Sequence, residues 1–161
     1  MSTAPTGFTP DTPLHITPLP DYRILTIRGA DAQTFLQGQF TQDVMAATTE
    51  SARLSAYCTA KGRMLASFIF WQQAQSQENA YQVMVRSDIA ESFAKRLRMF
   101  VLRAKVTVED TNITPYAYWA GDNTITSTTL ARPEPWQIIA TESMMQLGLP
   151  GTAGIQRGIL I

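Results

Sequence analysis

Two runs of alternating apolar residues, joined by a short glycine turn, constrain the fold of this chain most strongly. The first run covers residues 53–59 and the second residues 63–71, and apolar side chains recur at every second position in both. Alternation of this kind is typical of strands with one buried face. Because only Ala60–Gly62 separates the runs, the sequence predicts a β-hairpin. Cys58 alternates with the apolar side of its strand, which favours an inert buried thiol.

The segments after the hairpin predict an antiparallel α+β layer. A third strand is expected around residues 81–85, followed by a helix in which Ile89, Phe93 and Leu97 recur on one face. Asp88 and Glu91 resemble a capping box at the start of that helix. Residues 105–110 return as a strand, so the order is strand, strand, strand, helix, strand, and the helix packs on an antiparallel sheet.

The segments before the hairpin predict a tail, a strand and a short helix. Residues 1–21 contain five prolines, a composition that disfavours both helix and central strand. The run 22–28 has the β-branched content of a strand. Asp31 then suits the N-cap of a helix over residues 32–37, and Gly38 suits a left-handed residue at its end.

Residues beyond Pro115 give a weaker pattern of secondary-structure signals. Strands are expected at 116–120 and 136–140, and a short helix at 141–147. The large apolar residues at 159–161 are unusual for a chain terminus, which predicts a chain cut from a longer protein. A genuine C-terminal strand is the alternative.

The charge balance and the single cysteine and histidine argue against several kinds of binding site and cross-link. Thirteen basic residues balance thirteen acidic ones, so no broad positive field favours direct nucleic-acid binding. Cys58 alone cannot form an internal disulfide, and His15 has no second histidine or nearby cysteine with which to bind a metal. The N-terminus lacks a signal-peptide pattern, and no run is long enough for a transmembrane helix. We expect a cytoplasmic protein that does not associate with membranes.

Three strings of the sequence stand out: residues 29–44, with the core Phe35–Gln39, then Cys58–Met64, then Phe100–Val106. Together they resemble the YgfZ family, folate-binding relatives of the glycine-cleavage aminomethyltransferases, and the resemblance covers about residues 22–108. The family's Lys-Gly-Cys-Tyr-x-Gly-Gln-Glu motif is absent from this chain. Cys58 is therefore not the family's reactive cysteine.

The resemblance implies an α+β fold of antiparallel sheets with packed helices, of which this chain would hold the first two of three lobes. Residues 22–52 and 112–161 would form an incomplete first lobe, and 53–111 a ferredoxin-like second lobe. Tetrahydrofolate would be the ligand, and the role would be support of iron-sulphur enzymes, including those that modify tRNA. An incomplete central pocket predicts that this chain alone binds folate poorly.

The resemblance also predicts that the aminomethyltransferase chemistry is lost, so no catalytic residue is assigned. Those enzymes carry an aspartate pair where this chain has Ala66 and Ser67, and neither residue can act as a proton acceptor near neutral pH. A pteridine-facing tyrosine corresponds to Leu54, which packs on a ring but donates no hydrogen bond. Folate-dependent aminomethyl transfer is thus the second hypothesis.

Candidate ligand-binding residues cluster at the turn and at two other places. Lys61, Gly62 and Arg63 would present backbone amides and two cations to the anionic tail of folate. Arg86 could hold a carboxylate, although a solvated strand end is the alternative. The remaining candidates are polar residues that could equally stabilise their own loops: Gln37, Gln39 and Asp43.

A local basic stretch leaves a third hypothesis open. Five cations lie within eleven residues, and they could meet an acidic partner or RNA phosphate, although a solvated helix face is the commoner explanation. An interaction module without folate would use this stretch, which consists of Lys95, Arg96, Arg98, Arg103 and Lys105.

Overall fold

The computed structural model describes residues 9–74, 79–125, 130–151 and 154–161. Residues 1–8 of the predicted tail lie outside these ranges. The helices are α1 (Ala32–Gln37) and α2 (Ser87–Phe100), with a 3-10 turn at Val44–Ala46. The strands are β1 (His15–Pro18), β2 (Tyr22–Arg28), β3 (Arg53–Cys58), β4 (Met64–Gln72), β5 (Ala80–Arg86), β6 (Thr107–Asp110), β7 (Tyr116–Gly121), β8 (Ile138–Ala140), β9 (Met145–Gly148) and β10 (Ile155–Leu160).

The chain divides into two compact units, each built on a five-stranded sheet. The hairpin unit is Leu19–Pro115, and the split unit combines Met1–Pro18 with Tyr116–Ile161. The sheet of the hairpin unit has the order β3-β4-β5-β2-β6, and that of the split unit the order β1-β7-β10-β9-β8. The registered strand pairs are antiparallel, as the sequence predicts.

The hairpin unit has ferredoxin-like topology once β2 and α1 are counted. The series β2-α1-β4-β5-α2-β6 has the β-α-β-β-α-β order, and β3 extends the sheet at one edge. The lobe boundaries expected from the sequence differ from this arrangement, because they assign β2 to the first lobe. In the structure β2 lies between β5 and β6 and pairs with both, since Ile24, Leu25 and Ile27 need burial on both sheet faces.

The predicted tail also contains a strand. Residues 15–18 form β1, which pairs with β7 despite Pro18 at its end. An edge strand tolerates a proline because one side of its backbone needs no partner, which explains why the proline count alone misleads here.

The core of the hairpin unit lies between the sheet and the two helices. The buried face of α2 presents Phe93, Ala94 and Leu97, which pack against strand residues that include Phe68 and Phe70. The predicted Ile89, Phe93 and Leu97 stripe is thus confirmed, with Ile89 partly buried beside that core. Among the described helices, none is both long and apolar enough to cross a bilayer.

Several local expectations are wrong. Asp31 makes no capping hydrogen bond to α1, because its carboxylate accepts from the distant Lys105 backbone N–H at 2.8 Å. Gly38 is right-handed at φ −80°, and the helix α2 begins without a side-chain cap. The region predicted as a helix at 141–147 contains β9, which inserts between β8 and β10.

The backbone requires a glycine at Gly29, between β2 and α1. Its φ of +138° is rare for any other residue, and a Cβ there would lie 2.0 Å from the Lys105 carbonyl oxygen. Gly29 therefore allows the chain to pass directly against the segment that enters β6.

Candidate functional site

The hairpin of β3 and β4 has one face packed in the core and one open face. On the packed face, the rings of Tyr57 and Phe68 lie 5.6 and 5.2 Å from that of Phe93 in α2. Successive strand residues point to opposite sides, so the alternate positions of both strands face away from α2. We define the open face by the directly paired residues Leu54 with Ile69 and Ala56 with Ser67.

The open face is apolar and accessible to solvent. Leu54 is 57% exposed, Ala56 and Ile69 are half-buried, and Ser67 is exposed. Ile69 pairs in turn with Met84 of β5, which is buried, so the apolar row continues across the sheet. This row could pack against a planar ring at little cost in lost hydrogen bonds.

The sequence assignment of the buried side of β3 is wrong. Cys58 was expected to be buried with the apolar side of its strand, but Ser55 and Tyr57 face the core and Cys58 is half-buried. Ser55 is tolerated inside because its hydroxyl accepts a hydrogen bond from the Gln42 backbone N–H. The larger Tyr57 ring then fills the space against α2.

A register shift at the tip of the hairpin explains a second difference. Met64 occupies an alternate position of the second run, as the buried Ala66 does, but it pairs with Cys58 beyond an irregularity between Tyr57 and Cys58 and is 60% exposed. An inserted residue of this kind turns the following side chains. The sequence analysis missed Ile69 as a site residue, although the odd positions of the second run could have identified it.

Ala66 and Ser67 lie on opposite faces of the sheet. Ala66 is 3% exposed and belongs to the core beneath α2, whereas Ser67 lies on the open face beside Ala56. Only Ser67 can therefore meet a ligand on the open face. Between residues 53 and 72 the hairpin contains no Asp, Glu or His, so the hairpin itself offers no group that accepts a proton near neutral pH.

The turn of the hairpin uses its own backbone amides. The N–H of Gly62 donates to the Thr59 carbonyl at 2.8 Å, and the N–H of Arg63 donates to the Thr59 hydroxyl at 3.1 Å. The expectation that these two backbone N–H groups are free to bind an anion is therefore wrong. The exposed side chains of Lys61 and Arg63 remain as the cations of the turn.

Two of the three polar candidates before the hairpin stabilise their own segment. The Gln37 side-chain oxygen accepts from the Val44 N–H at 2.8 Å, and the Asp43 carboxylate accepts from the Met45 N–H at 3.0 Å. These bonds hold the 3-10 turn against α1. Gln39 is half-buried.

Arg86 ends β5 on the surface, where it pairs with Asp88 at 3.3 Å. The hydrogen bond to Asp88 and then the charge of that carboxylate raise the pKa of Arg86 above its ordinary value. Arg86 pairs in register with Tyr22, and its side chain is 55% exposed rather than enclosed in a cavity. Its environment is therefore the solvated strand end that the sequence analysis gave as the alternative.

The basic stretch is not uniform. Arg98 donates from Nε and Nη2 to the Val108 carbonyl at 3.0 and 2.7 Å, which ties α2 to β6. Lys95 and Arg96 are exposed on α2, and Arg103 and Lys105 are exposed beyond it. In the described ranges, no three His, Cys, Asp or Glu side chains meet in an arrangement that could hold a metal ion.

Comparison with known proteins identifies relatives that match more than half of this chain, although no family model matches the sequence. An uncharacterized protein of Haemophilus influenzae is 31% identical over 91 residues, which are 56% of this chain and 31% of that protein. The tRNA-modifying protein YgfZ of Escherichia coli O7:K1 is 31% identical over 96 residues, which are 60% of this chain and 28% of that protein. The matched region is less than a third of either relative.

A solved structure extends the similarity to nearly the whole chain. The glycine cleavage system aminomethyltransferase T of Bartonella henselae matches with a TM-score of 0.73 over 94% of this chain and 42% of that one. The identity is 12%, so this likeness concerns the fold, and it confirms the predicted α+β fold of antiparallel sheets. Over the matched region the chain is similar in sequence to the tRNA-modifying protein YgfZ, and its fold resembles that of a glycine-cleavage aminomethyltransferase.

Proposed function

We propose that this chain is part of a YgfZ-type folate-binding protein that supports tRNA modification. The similarity to the tRNA-modifying protein YgfZ supports the class, and the aminomethyltransferase fold supports a folate ligand. The observation that carries the proposal is the open face of the hairpin, where the exposed Leu54 lies beside Ile69 and the turn that joins the same two strands carries two exposed cations. Tetrahydrofolate combines a planar ring with an anionic tail, and this surface complements both parts.

The ring of tetrahydrofolate would pack on Leu54 and Ile69. An exposed leucine directly paired with a half-buried isoleucine forms a flat apolar surface, and covering it removes apolar area from water. Ser67 would supply a hydroxyl at the edge of the ring. Lys61 and Arg63 would attract the carboxylates of the tail, as side chains rather than through the amides of the turn.

The protein would bind folate without transferring a one-carbon unit. A developing cation on a folate nitrogen requires a carboxylate or another proton acceptor, and the hairpin offers only the neutral Ser67 on this face. Aminomethyl transfer therefore ranks below binding. We expect no methylenetetrahydrofolate from an aminomethyl donor, and its formation by this protein would reverse the ranking.

Calorimetric titration with tetrahydrofolate, on the full product of the gene, tests the proposal. Leu54→Glu places a charge on the open face and is expected to weaken binding at least tenfold. Met99→Glu is the matched control, since Met99 is 66% exposed on α2 and lies outside the open face. No measurable binding by the unaltered protein, or equal loss in both variants, would refute the proposal.

The physiological role would be support of iron-sulphur enzymes that modify tRNA, in the cytoplasm. Deleting the gene and measuring modified tRNA nucleosides by mass spectrometry, beside the activity of an iron-sulphur enzyme, tests this role. Normal levels of both would contradict it. Restoring the gene with Leu54→Glu separates a role of folate from a role of the protein alone.

A partner-binding role is the second candidate, and one observation favours it. The end of α2 exposes Met99, Phe100 and Leu102, of which Leu102 is 88% exposed, and no acidic residue occurs between positions 92 and 108. Apolar side chains among cations suit an acidic protein surface. Changing both Lys95 and Arg96 to Glu tests this role without disturbing Arg98, and a folate-only role predicts unaltered tRNA modification.

A further inference from the structure

The sheet of the split unit contains a cavity that the proposed function does not use. It has a volume of about 540 Å³, within the range of sites that enclose small molecules. Its lining combines one indole, one phenol, one cation and several aliphatic side chains. The residues on which the argument rests are Ala117, Trp119, Leu149, Ile155, Arg157 and Ile159.

The strand register brings the polar and apolar parts of this lining to one face of the sheet. Arg157 of β10 pairs directly with Trp119 of β7, and Ile159 pairs with Ala117 two positions along. Directly paired residues point to the same side, so these four side chains form a contiguous patch. The indole ring is held in place by the His15 ring, which stacks on it at 5.1 Å and 10°.

Arg157 is an exposed cation at this cavity. Its Nε donates to the Pro150 carbonyl oxygen, which anchors the guanidinium. Among the residues that the structure describes, no carboxylate lies within ion-pair distance of Arg157. A planar guanidinium without a carboxylate partner, beside an apolar cavity, suits the acidic group of a ligand.

We propose that this cavity binds an aromatic monoanion, a planar ring system with one carboxylate or sulfonate group. The ring would contact Trp119, Ile155 and Ile159, and the acidic group would pair with the fork of Arg157. One cation favours one negative charge, so a nucleoside di- or triphosphate is a poor match. This inference does not depend on the proposed function, because it uses no residue of the hairpin.

Two fluorescent probes of similar shape test the charge and the cavity separately. The anion 8-anilinonaphthalene-1-sulfonate is titrated beside the neutral N-phenyl-1-naphthylamine. We expect Arg157→Gln to weaken the anionic probe about tenfold and the neutral probe less than twofold, since only the anion loses a charged hydrogen-bond partner. Equal affinity of the anionic probe in Arg157→Gln and the unaltered protein would overturn the proposal.

A second pair of variants locates the probes. Ala117→Phe fills the cavity and is expected to weaken both probes at least fivefold, whereas Leu102→Gln removes an exposed apolar side chain of the other unit and is expected to change neither. Weakening by Leu102→Gln alone would place the probes on α2 and overturn the proposal. If Ala117→Phe fails to fold, Arg157→Gln still decides, because Arg157 is exposed.

Discussion

Replacing Gly29 by alanine is expected to destabilise the hairpin unit by about 3 kcal/mol or more. A residue with a Cβ at φ +138° costs about 1–3 kcal/mol in backbone strain. The added Cβ would also lie 2.0 Å from the Lys105 carbonyl oxygen, so the backbone before β6 must move. That movement disturbs the 2.8 Å hydrogen bond from the Lys105 N–H to Asp31, which contributes about 1 kcal/mol at this exposed position.

Gly62→Ala is the matched control. Gly62 also has a positive φ, of +77°, but a Cβ there would meet no atom within 4 Å. The expected loss is therefore about 1 kcal/mol, from strain alone. Urea denaturation followed by far-UV circular dichroism measures both variants. Equal losses would refute the reasoning, because they would show that the close approach of Gly29 to Lys105 adds nothing.

Three further perturbations have expected outcomes. Leu102→Asn is expected to stabilise the protein by about 0.5–1 kcal/mol, because Leu102 is exposed and holds φ at +36°; an unchanged urea midpoint would contradict this. Arg98→Gln is expected to cost about 1–2 kcal/mol through its lost bonds to Val108, and Arg96→Gln close to nothing; equal thermal shifts would contradict this. Burial raises the pKa of Tyr81, opposed in part by Gln33, so its contribution to stability is full below pH 10 and is lost as the pH rises further. Tyr81→Phe is therefore expected to reduce the alkaline loss of stability, measured by urea denaturation at pH 8 and pH 11.

The sequence was sufficient to predict elements that have a clear period. The hairpin, the third strand, α2 and its buried stripe follow from local alternation and helical spacing, and the structure has them. Their order also predicted the α+β class. Local patterns succeed here because burial of one face decides both the period and the element.

Features that depend on distant residues could not be predicted in the same way. Asp31 was assigned to a helix cap, but its partner is a backbone N–H 74 residues away. The strand β2 reads as an ordinary strand, and only its pairing with β5 and β6 places it within the hairpin unit. β9 and β10 stabilise each other across the sheet, and the local sequence around 141–147 does not predict that pairing.

The candidate site was predicted in part. Leu54 and Ser67 lie on the open face, in neighbouring cross-strand pairs. Ala66 faces the core because successive residues of a strand point to opposite sides. Gln37 and Asp43 serve the backbone of their own loop. Residue types alone could not distinguish a ligand contact from a loop contact, since the same amide or carboxylate can satisfy either.

The central claim is that tetrahydrofolate packs on the open face of the hairpin, and methyl NMR of the full gene product tests it most directly. We predict intermolecular contacts between the ligand ring protons and the methyl groups of Leu54 and Ile69. Saturating tetrahydrofolate that leaves both residues without contacts, while other methyl groups show them, would contradict the claim.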